Sequence, residues 1–360
     1  MRRRQPTLQA SVPMQTVGPL RIISDDIPDE RITIPLATFE TPLWPSTHRG
    51  ALVCTQAGGI HATVVDERMC RSVLVEAGTA ARAHLAAQKI KSQQAECQAI
   101  ISETSRFAKL LDIHTQMVGS LLYIRFEFLT GDAAGHNMVT LASDRLLSWL
   151  LEQNKQLSYV SISGNFCSDK KTSAVNGILG RGKNVVAEVT LSRALCKKYL
   201  RTTPEKIADI NLKKNLLGNI VSGGLRTANA HFANMLLGFY LATGQDAANI
   251  IEGSQGMVHA EVRDDALYFS VTLPNIIIGA VGNGKDHPFV LENLALMHCL
   301  EKRAPGVNGR RLAVIAAGAV LCGELSLLAA QTNPGELMRS HVTLERMSQP
   351  HSKKQKEKSS

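Results

Sequence analysis

Between Ser163 and Lys171 the chain reads SGNFCSDKK, which sets the carboxylate of Asp169 beside the ammonium groups of Lys170 and Lys171 after a turn of small residues. A lysine held near a carboxylate and away from water can polarise a carbonyl and stabilise the oxyanion that forms as hydride arrives. Losing one such donor costs about 3–4 kcal/mol of transition-state stabilisation. The same residues also describe a solvated surface cluster, and the local sequence leaves the two readings balanced. Asp246 poses a related choice, because it lies in LATGQDAANII, a segment otherwise suited to burial, where an unpaired carboxylate is costly. It is expected either to pair with a lysine and carry the shifted pKa of a functional group, or to cap a helix after a break at Gly244. His231 and Asn234 share a face if their segment is helical. His341 follows the break Asn333-Pro334-Gly335. An imidazole there suits protonation of a leaving thiolate near neutral pH, although an isolated histidine is more often a plain surface residue.

Other chemistries fit less well. Gly177-Ile-Leu-Gly-Arg-Gly182-Lys183-Asn184 has the glycine and lysine spacing of a phosphate-binding loop, but Asn184 stands where Ser or Thr must hold Mg²⁺, and an expected helix precedes it instead of a strand. No GxGxxG follows an expected strand, so a Rossmann site is not supported. Two glycine-bearing turns, GDAAGHN at 131–137 and GAVGNG at 279–284, could present backbone N–H groups to anionic phosphates. Each taken singly reads more simply as a plain turn. No HExxH, CxxC or clustered His/Asp spacing occurs, so no metal site is expected. Seven scattered cysteines, an odd number, point away from a disulfide framework and towards a reducing compartment.

Positioning such groups needs a scaffold. The 360 residues are 44% hydrophobic and 20% charged, the usage of a globular protein, with aromatics at only 4%, so Ala, Leu and Gly must carry the packing. The net charge of +9 permits attraction of polyanions. Much of that charge comes from Arg2, Arg3, Arg4, Lys353, Lys354, Lys356 and Lys358 at the two ends, so no nucleic-acid partner is expected of the body. Residues 1–12 and the basic tail 349–360 read as disordered. The apolar stretch Leu312 to Gln331 contains Glu324 and reads as a buried helix. With no signal-peptide core at the start, the expectation is a cytoplasmic protein with no membrane partner.

From Ile32 to Val65, apolar runs broken by Pro35, Pro42, Pro45 and Gly58-Gly59 predict strands and tight turns. The text from Met69 to about Ser92 predicts a helix, and Leu121 to Leu129 alternates like a half-buried strand. A helix near Leu141 to Gln153 and a strand near Leu157 to Ile162 follow. Residues 70–162 therefore read as a compact α+β unit inserted into a larger domain.

Collinear blocks span about Pro13 to Arg346. They include VGPL (Val17 to Leu20), ATFETPLWPSTHRG (Ala37 to Gly50), DERMCR (Asp66 to Arg71), TSRFAKL (Thr104 to Leu110) and GDAAGHNM (Gly131 to Met138). SGNFCSDKKTSAVNGILGRGK (Ser163 to Lys183), KNLLG (Lys214 to Gly218), NAHFANM (Asn229 to Met235), GQDAAN (Gly244 to Asn249), GELSLLAA (Gly323 to Ala330) and SHVTLER (Ser340 to Arg346) continue the series. In this order they resemble the hydroxymethylglutaryl-CoA (HMG-CoA) reductase family, more closely its class I branch. The resemblance implies an α+β fold in which a large mixed helical and sheet substrate domain, 13–69 and 163–334, carries an inserted ferredoxin-like, non-Rossmann cofactor domain at 70–162. A C-terminal helix at 335–348 would bear His341.

The implied reaction is four-electron reduction of HMG-CoA to mevalonate and CoA by two hydrides from NADPH in preference to NADH, through a mevaldyl hemithioacetal and mevaldehyde. By the same resemblance Lys170 would stabilise the oxyanion, Glu40 would donate a proton, Asp246 would hold their network in its working protonation states, and His341 would protonate the CoA thiolate. Arg71, Ser163, Asp169, Lys171 and Lys214 match positions that grip the HMG portion, and Asn234 a hydrogen-bond partner of the catalytic group. Ser46, Arg49 and His231 match CoA contacts. Ser105, Arg106, Asp132, Asn137, Gly282 and Gly284 match the cofactor side. The family forms its sites between subunits, so a homodimer or homotetramer is implied. Two cofactor turns depart from the family pattern: GDAMGMNM is GDAAGHNM here, and the GGGT turn is Gly282-Asn283-Gly284-Lys285. Those departures motivate the alternative, a non-catalytic CoA-ester-binding homologue, which retention of Glu40, Lys170, Asp246 and His341 argues against.

Overall fold

A computed structural model describes residues 10–339 and 342–343. His341, the basic tail and all but the last three residues of the expected N-terminal tail lie outside them, as do residues 344–348 of the expected C-terminal helix. The strands are β1 (Met14–Ser24), β2 (Ile27–Ala37), β3 (Ile60–Glu76), β4 (Lys109–Val118), β5 (Leu121–Leu129), β6 (Ser158–Ser161), β7 (Gly182–Ser192), β8 (Met257–Arg263) and β9 (Ala266–Ile276). The first helices are α1 (Leu43–Gln56), α2 (Ala80–Ser92), α3 (Gln94–Thr104), α4 (His136–Gln153) and α5 (Ala174–Leu179). After β7, α6 (Arg193–Leu195) and α7 (Pro204–Ile210) each run on into π-helical turns, and α8 (Asn219–Ser222) follows. The remainder are α9 (Phe232–Ala242), α10 (Ile250–Gly253), α11 (Pro288–Leu296) and α12 (Val307–Gln331). The fold is α+β with a mixed sheet: β1 and β3 pair in parallel, and the other ladders are antiparallel.

The sheet runs β2-β1-β3-β7-β9-β8, and β3 is long enough to join a second ladder. Its residues 61–68 pair with β7, while Met69 to Glu76 pair with β5, which in turn pairs with β4. One strand thus crosses from one hydrophobic core to another. The larger core buries α12 against β1, β2, β7 and β9, and the smaller packs α2, α3 and α4 on β3, β4 and β5. By length and apolarity α12 could cross a membrane, but nearly all of it is buried inside the protein, as expected for a core helix.

Two local expectations fail. Leu43–Gln56 is a helix, not strands and turns, because Pro42 and Pro45 fall at its cap and first turn, where the backbone N–H groups have no helical acceptor to lose. Residues 69–76 continue β3, because the run from Met69 to Val75 finds a strand partner in β5. The helix begins only after Gly78, with the Thr79 hydroxyl accepting from Arg82 N.

The helix α1 carries Ser46 and Arg49, and it reaches α12 through Gly50, whose missing side chain lets the two backbones meet at Cys322. A Gly50→Ala methyl would sit inside contact distance of the Cys322 carbonyl, with only main chain to push against. We expect Gly50→Ala to destabilise by about 1–3 kcal/mol, read as a lower midpoint of guanidinium unfolding. Gly119→Ala, where nothing lies near the added carbon, should lose only the about 1 kcal/mol associated with its left-handed φ of 58°.

Candidate active site

The segment after β6 is strained: Asn165, Ser168 and Lys170 all take positive φ, at 59°, 42° and 55°. Non-glycine residues adopt that conformation only when their surroundings over-determine it, and here buried side chains do so. The Lys170 N–H donates to Glu252 Oε1 at 2.6 Å, and Arg181 reaches Asp169 Oδ1 at 2.6 Å. Arg181 also donates to Cys70 O and faces Glu252 across 3.5 Å. From β5, the buried Arg125 donates to Phe166 O, Asn176 Oδ1 and Gly180 O. The apparent phosphate-binding loop is therefore helix α5 followed by strand β7, the reverse of the order that loop requires, and its Arg181 serves the preceding turn.

So held, Lys170 extends Nζ to Asp246 Oδ2 at 2.7 Å. Both readings of Asp246 are true at once: it caps the short 3₁₀ turn Ala247–Asn249 by accepting from Ala248 N, and it pairs with the lysine. Its side chain is nevertheless 47% exposed, so the expectation of burial fails. The Asp246 hydrogen bond raises the Lys170 amine above its usual range. Burial pushes Asp246 up, but the bonds from Lys170 and Ala248 outweigh it and hold the carboxylate below its usual range. The pair is ionised across neutral pH.

A cleft of about 510 Å³ gathers Lys170 and Asp246 with Arg71, Asn137, Asp169 and Gly282. Three turns build it. Ala133 bridges Val281, Ala280 N donates to Asp132 O, and Gln245 exchanges hydrogen bonds with both backbone groups of Gly279. Gly244 and Gly284, both at positive φ, meet backbone to backbone. Arg71 is aimed by two bonds to Thr140 Oγ1, with Ser163 Oγ at 3.5 Å. Lys171 Nζ turns back to Asp169 O. His136 also lines the cleft, and burial together with Arg181 draws its imidazole down to about 4.

A second cleft of about 550 Å³ holds Glu40, Ser46, Arg49 and His231. Asn234 Nδ2 donates to Glu40 Oε2 at 2.6 Å. The loop before α9 is fixed by the buried Glu324 of α12, which accepts from Ala230 N and His231 N. Ser46 and Arg49 both bond Ser326, and Arg49 also pairs with Glu336 at 2.9 Å. Within one chain, then, Glu40 and Lys170 line different clefts.

The other expected residues stand outside both linings. Asp132 accepts from Gly306 N and Gly309 N at the start of α12. The Ser105 hydroxyl accepts from Phe107 N and Ala108 N, and Arg106 lies over the Phe107 ring. Gly284 packs on Gly244, and Lys214 Nζ donates to Asn215 Oδ1, its amine lowered by burial. The local sequence assigns no positioning role to Glu252 or Thr140, and it places Glu324 only within a buried helix and Arg181 only within the glycine loop. A lone acid in the apolar run of residues 250–253 was the one available sign of Glu252.

The family model described as hydroxymethylglutaryl-coenzyme A reductase matches residues 7–346. The 3-hydroxy-3-methylglutaryl-coenzyme A reductase of Pyrococcus abyssi is 44% identical over 338 residues, covering 93% of this chain and 82% of its own. The enzyme of the same name from Aeropyrum pernix is 41% identical, covering 93% and 79%. Among solved structures, a class II reductase from Streptococcus pneumoniae, bound to NADPH in open conformations, superposes with a TM-score of 0.71 at 19% identity, covering 92% of this chain and 88% of that one. That last likeness speaks for the fold. The family match and the sequence identities carry the assignment: the chain belongs to the hydroxymethylglutaryl-coenzyme A reductase family.

Proposed function

We propose that this protein reduces HMG-CoA to mevalonate and CoA with NADPH, and that the Lys170–Asp246 pair is the centre of the reaction. The observation that carries the reading is a charged lysine in a strained turn, paired with a carboxylate in a cleft walled by two glycine turns. Two NADPH molecules, bound in succession, would supply the two hydrides, one each. Overall, thioester plus two hydrides and two protons gives a primary alcohol and a thiol, so the protein must stabilise an oxyanion and deliver protons. The Lys170 ammonium fits the oxyanion task, with Asp246 keeping it charged. Glu40, oriented by Asn234, fits proton delivery. His341 is assigned to the departing thiolate through the family resemblance.

Arg71, Ser163, Asp169, Lys171 and Lys214 are assigned to the HMG portion, and Ser46, Arg49 and His231 to CoA. The cofactor side is assigned to Asn137, Gly282 and Gly284 with Ser105, Arg106 and Asp132. The smaller core supports reading residues 70–162 as an inserted ferredoxin-like cofactor domain within a larger unit of residues 13–69 and 163–334, with β3 as the shared strand. The separation of Glu40 from Lys170 supports a homodimer or homotetramer in which one subunit's Lys170 cleft meets its partner's Glu40 cleft.

Three outcomes test this. Lys170→Met should lower HMG-CoA-dependent NADPH oxidation by at least about a hundredfold with an unchanged melting temperature, since an exposed pair contributes under about 1 kcal/mol to stability. Asp246→Asn removes the partner that raises the Lys170 amine, so the alkaline limb of kcat against pH should move to lower pH. Mixing Lys170→Met with Glu40→Gln subunits under exchange should restore about a quarter of wild-type activity if each site draws one residue from each subunit. Sites complete within one chain would give no recovery.

A further inference from the structure

Lys285 follows the 279–284 turn, and no role above uses it. The residue is 8% exposed, yet it lines the cleft of Lys170 and Asp246. The ammonium donates to Gly244 O, which satisfies one of its three donors. Among the described residues no carboxylate pairs with it, and burial alone draws the amine down, to about 8. A cation taken out of water without a counter-charge is costly, and an anion bound in the cleft offsets that cost. The neighbouring wall favours an anion as well. The 18-residue α4 starts there after Gly135 with no side-chain cap, so its first N–H groups and the positive end of its dipole face the same space. The two acids of the cleft are already engaged, Asp169 by Arg181 and Asp246 by Lys170.

We propose that Lys285 is a further cofactor-binding residue of this protein, its ammonium taking a phosphoryl oxygen of the dinucleotide. The inference rests on the reading of this cleft as the one that receives NADPH. It also gives a physical sense to the lysine that follows Gly284: a buried cation supplies phosphate affinity where the turn departs from the family's GGGT.

A contact of this kind has a signature that a structural tether lacks. A neutral amine can still donate to Gly244 O, so a purely structural role survives deprotonation, whereas attraction to a phosphate does not. The charged and titratable groups facing the cleft are Arg71 from β3, His136 from α4, Asp169 and Lys170 from the strained turn, and Asp246 after α9. Asp286 and His287 follow Lys285 on the exposed side. His136 is drawn down to about 4 by burial and Arg181, both carboxylates of the cleft lie below their usual range, and Lys170 lies above its own. Lys285 is the cleft group drawn into the range of about pH 7 to 9. Its charge, and the affinity that depends on it, is present below pH 8 and fades as the pH rises through that value.

The test is a fluorescence titration of the full chain with NADPH, NADH and HMG-CoA separately, at about pH 7 and pH 9, for wild type, Lys285→Met and Lys285→Thr. The substitutions should raise the Kd for NADPH about tenfold to a hundredfold at pH 7, the loss of one charge-assisted hydrogen bond, and leave that for HMG-CoA unchanged. Wild-type affinity should fall towards the variants' value at pH 9, while theirs stays flat. Equal losses for NADH and NADPH place the contact on the pyrophosphate, and a loss for NADPH alone places it on the 2′-phosphate; either supports the proposal. Variant and wild-type Kd values within twofold, a pH-independent wild-type Kd, or an effect on HMG-CoA alone would overturn it. The wild-type pH series needs no substitution and decides the matter even if a variant fails to fold. Wild type that binds no NADPH at any pH overturns the reductase reading itself.

Discussion

The guanidinium of Arg181 has no contact with solvent, and the placement of Lys170 depends on it. It pairs with Asp169, donates to Cys70 O and faces Glu252, whose own carboxylate takes the Lys170 N–H. Burial pushes the Glu252 carboxyl up, and the Lys170 N–H and Arg181 draw it partly back. Removing one member of such a buried pair leaves the other uncompensated, at about 3–5 kcal/mol. Left-handed non-glycine residues persist only where their surroundings over-determine them, and this buried network does so for the short turn, leaving a lysine whose backbone direction is settled before any ligand arrives.

The same logic, a buried carboxylate gripping backbone N–H groups, recurs in the second cleft. Glu324 lies within the long core helix α12, and by accepting from Ala230 and His231 it fixes the start of α9. One turn further on, Asn234 reaches Glu40. Both clefts are therefore positioned from the interior outwards, by buried charges that grip the backbone of the site. The exposed pair Lys170–Asp246 contributes little to stability; the buried groups behind it do the holding.

Much of this arrangement was legible in the chain. SGNFCSDKK held an acid and two lysines whose two readings were balanced, and the fold adds what the local sequence could not show, the pairing of Lys170 with a residue 76 positions later, Asp246. Asp246 could be read as cap or partner, and it is both. The buried helix from Leu312 and the strand Leu121 to Leu129 follow from apolar patterning alone. What stayed hidden depends on distant partners. Glu252 meets Lys170 across 82 positions and Glu324 meets Ala230 across 94, distances at which local periodicity carries no signal. Arg181 was masked by glycine spacing that resembles a phosphate loop. Pro42 and Pro45 looked like breakers because their position relative to the helix start decides their effect. The long β3 was misread after Met69 because its second half changes partner, from β7 to β5.

On the proposed mechanism a thioester passes through two successive reductions at Lys170. The most direct measurement is the stoichiometry of NADPH consumed against free thiol released from HMG-CoA by the purified full chain. Two NADPH oxidised for each thiol, with mevalonate as the product, is the expected result. One NADPH per thiol with aldehyde released, or thiol release without any NADPH oxidation, would contradict it.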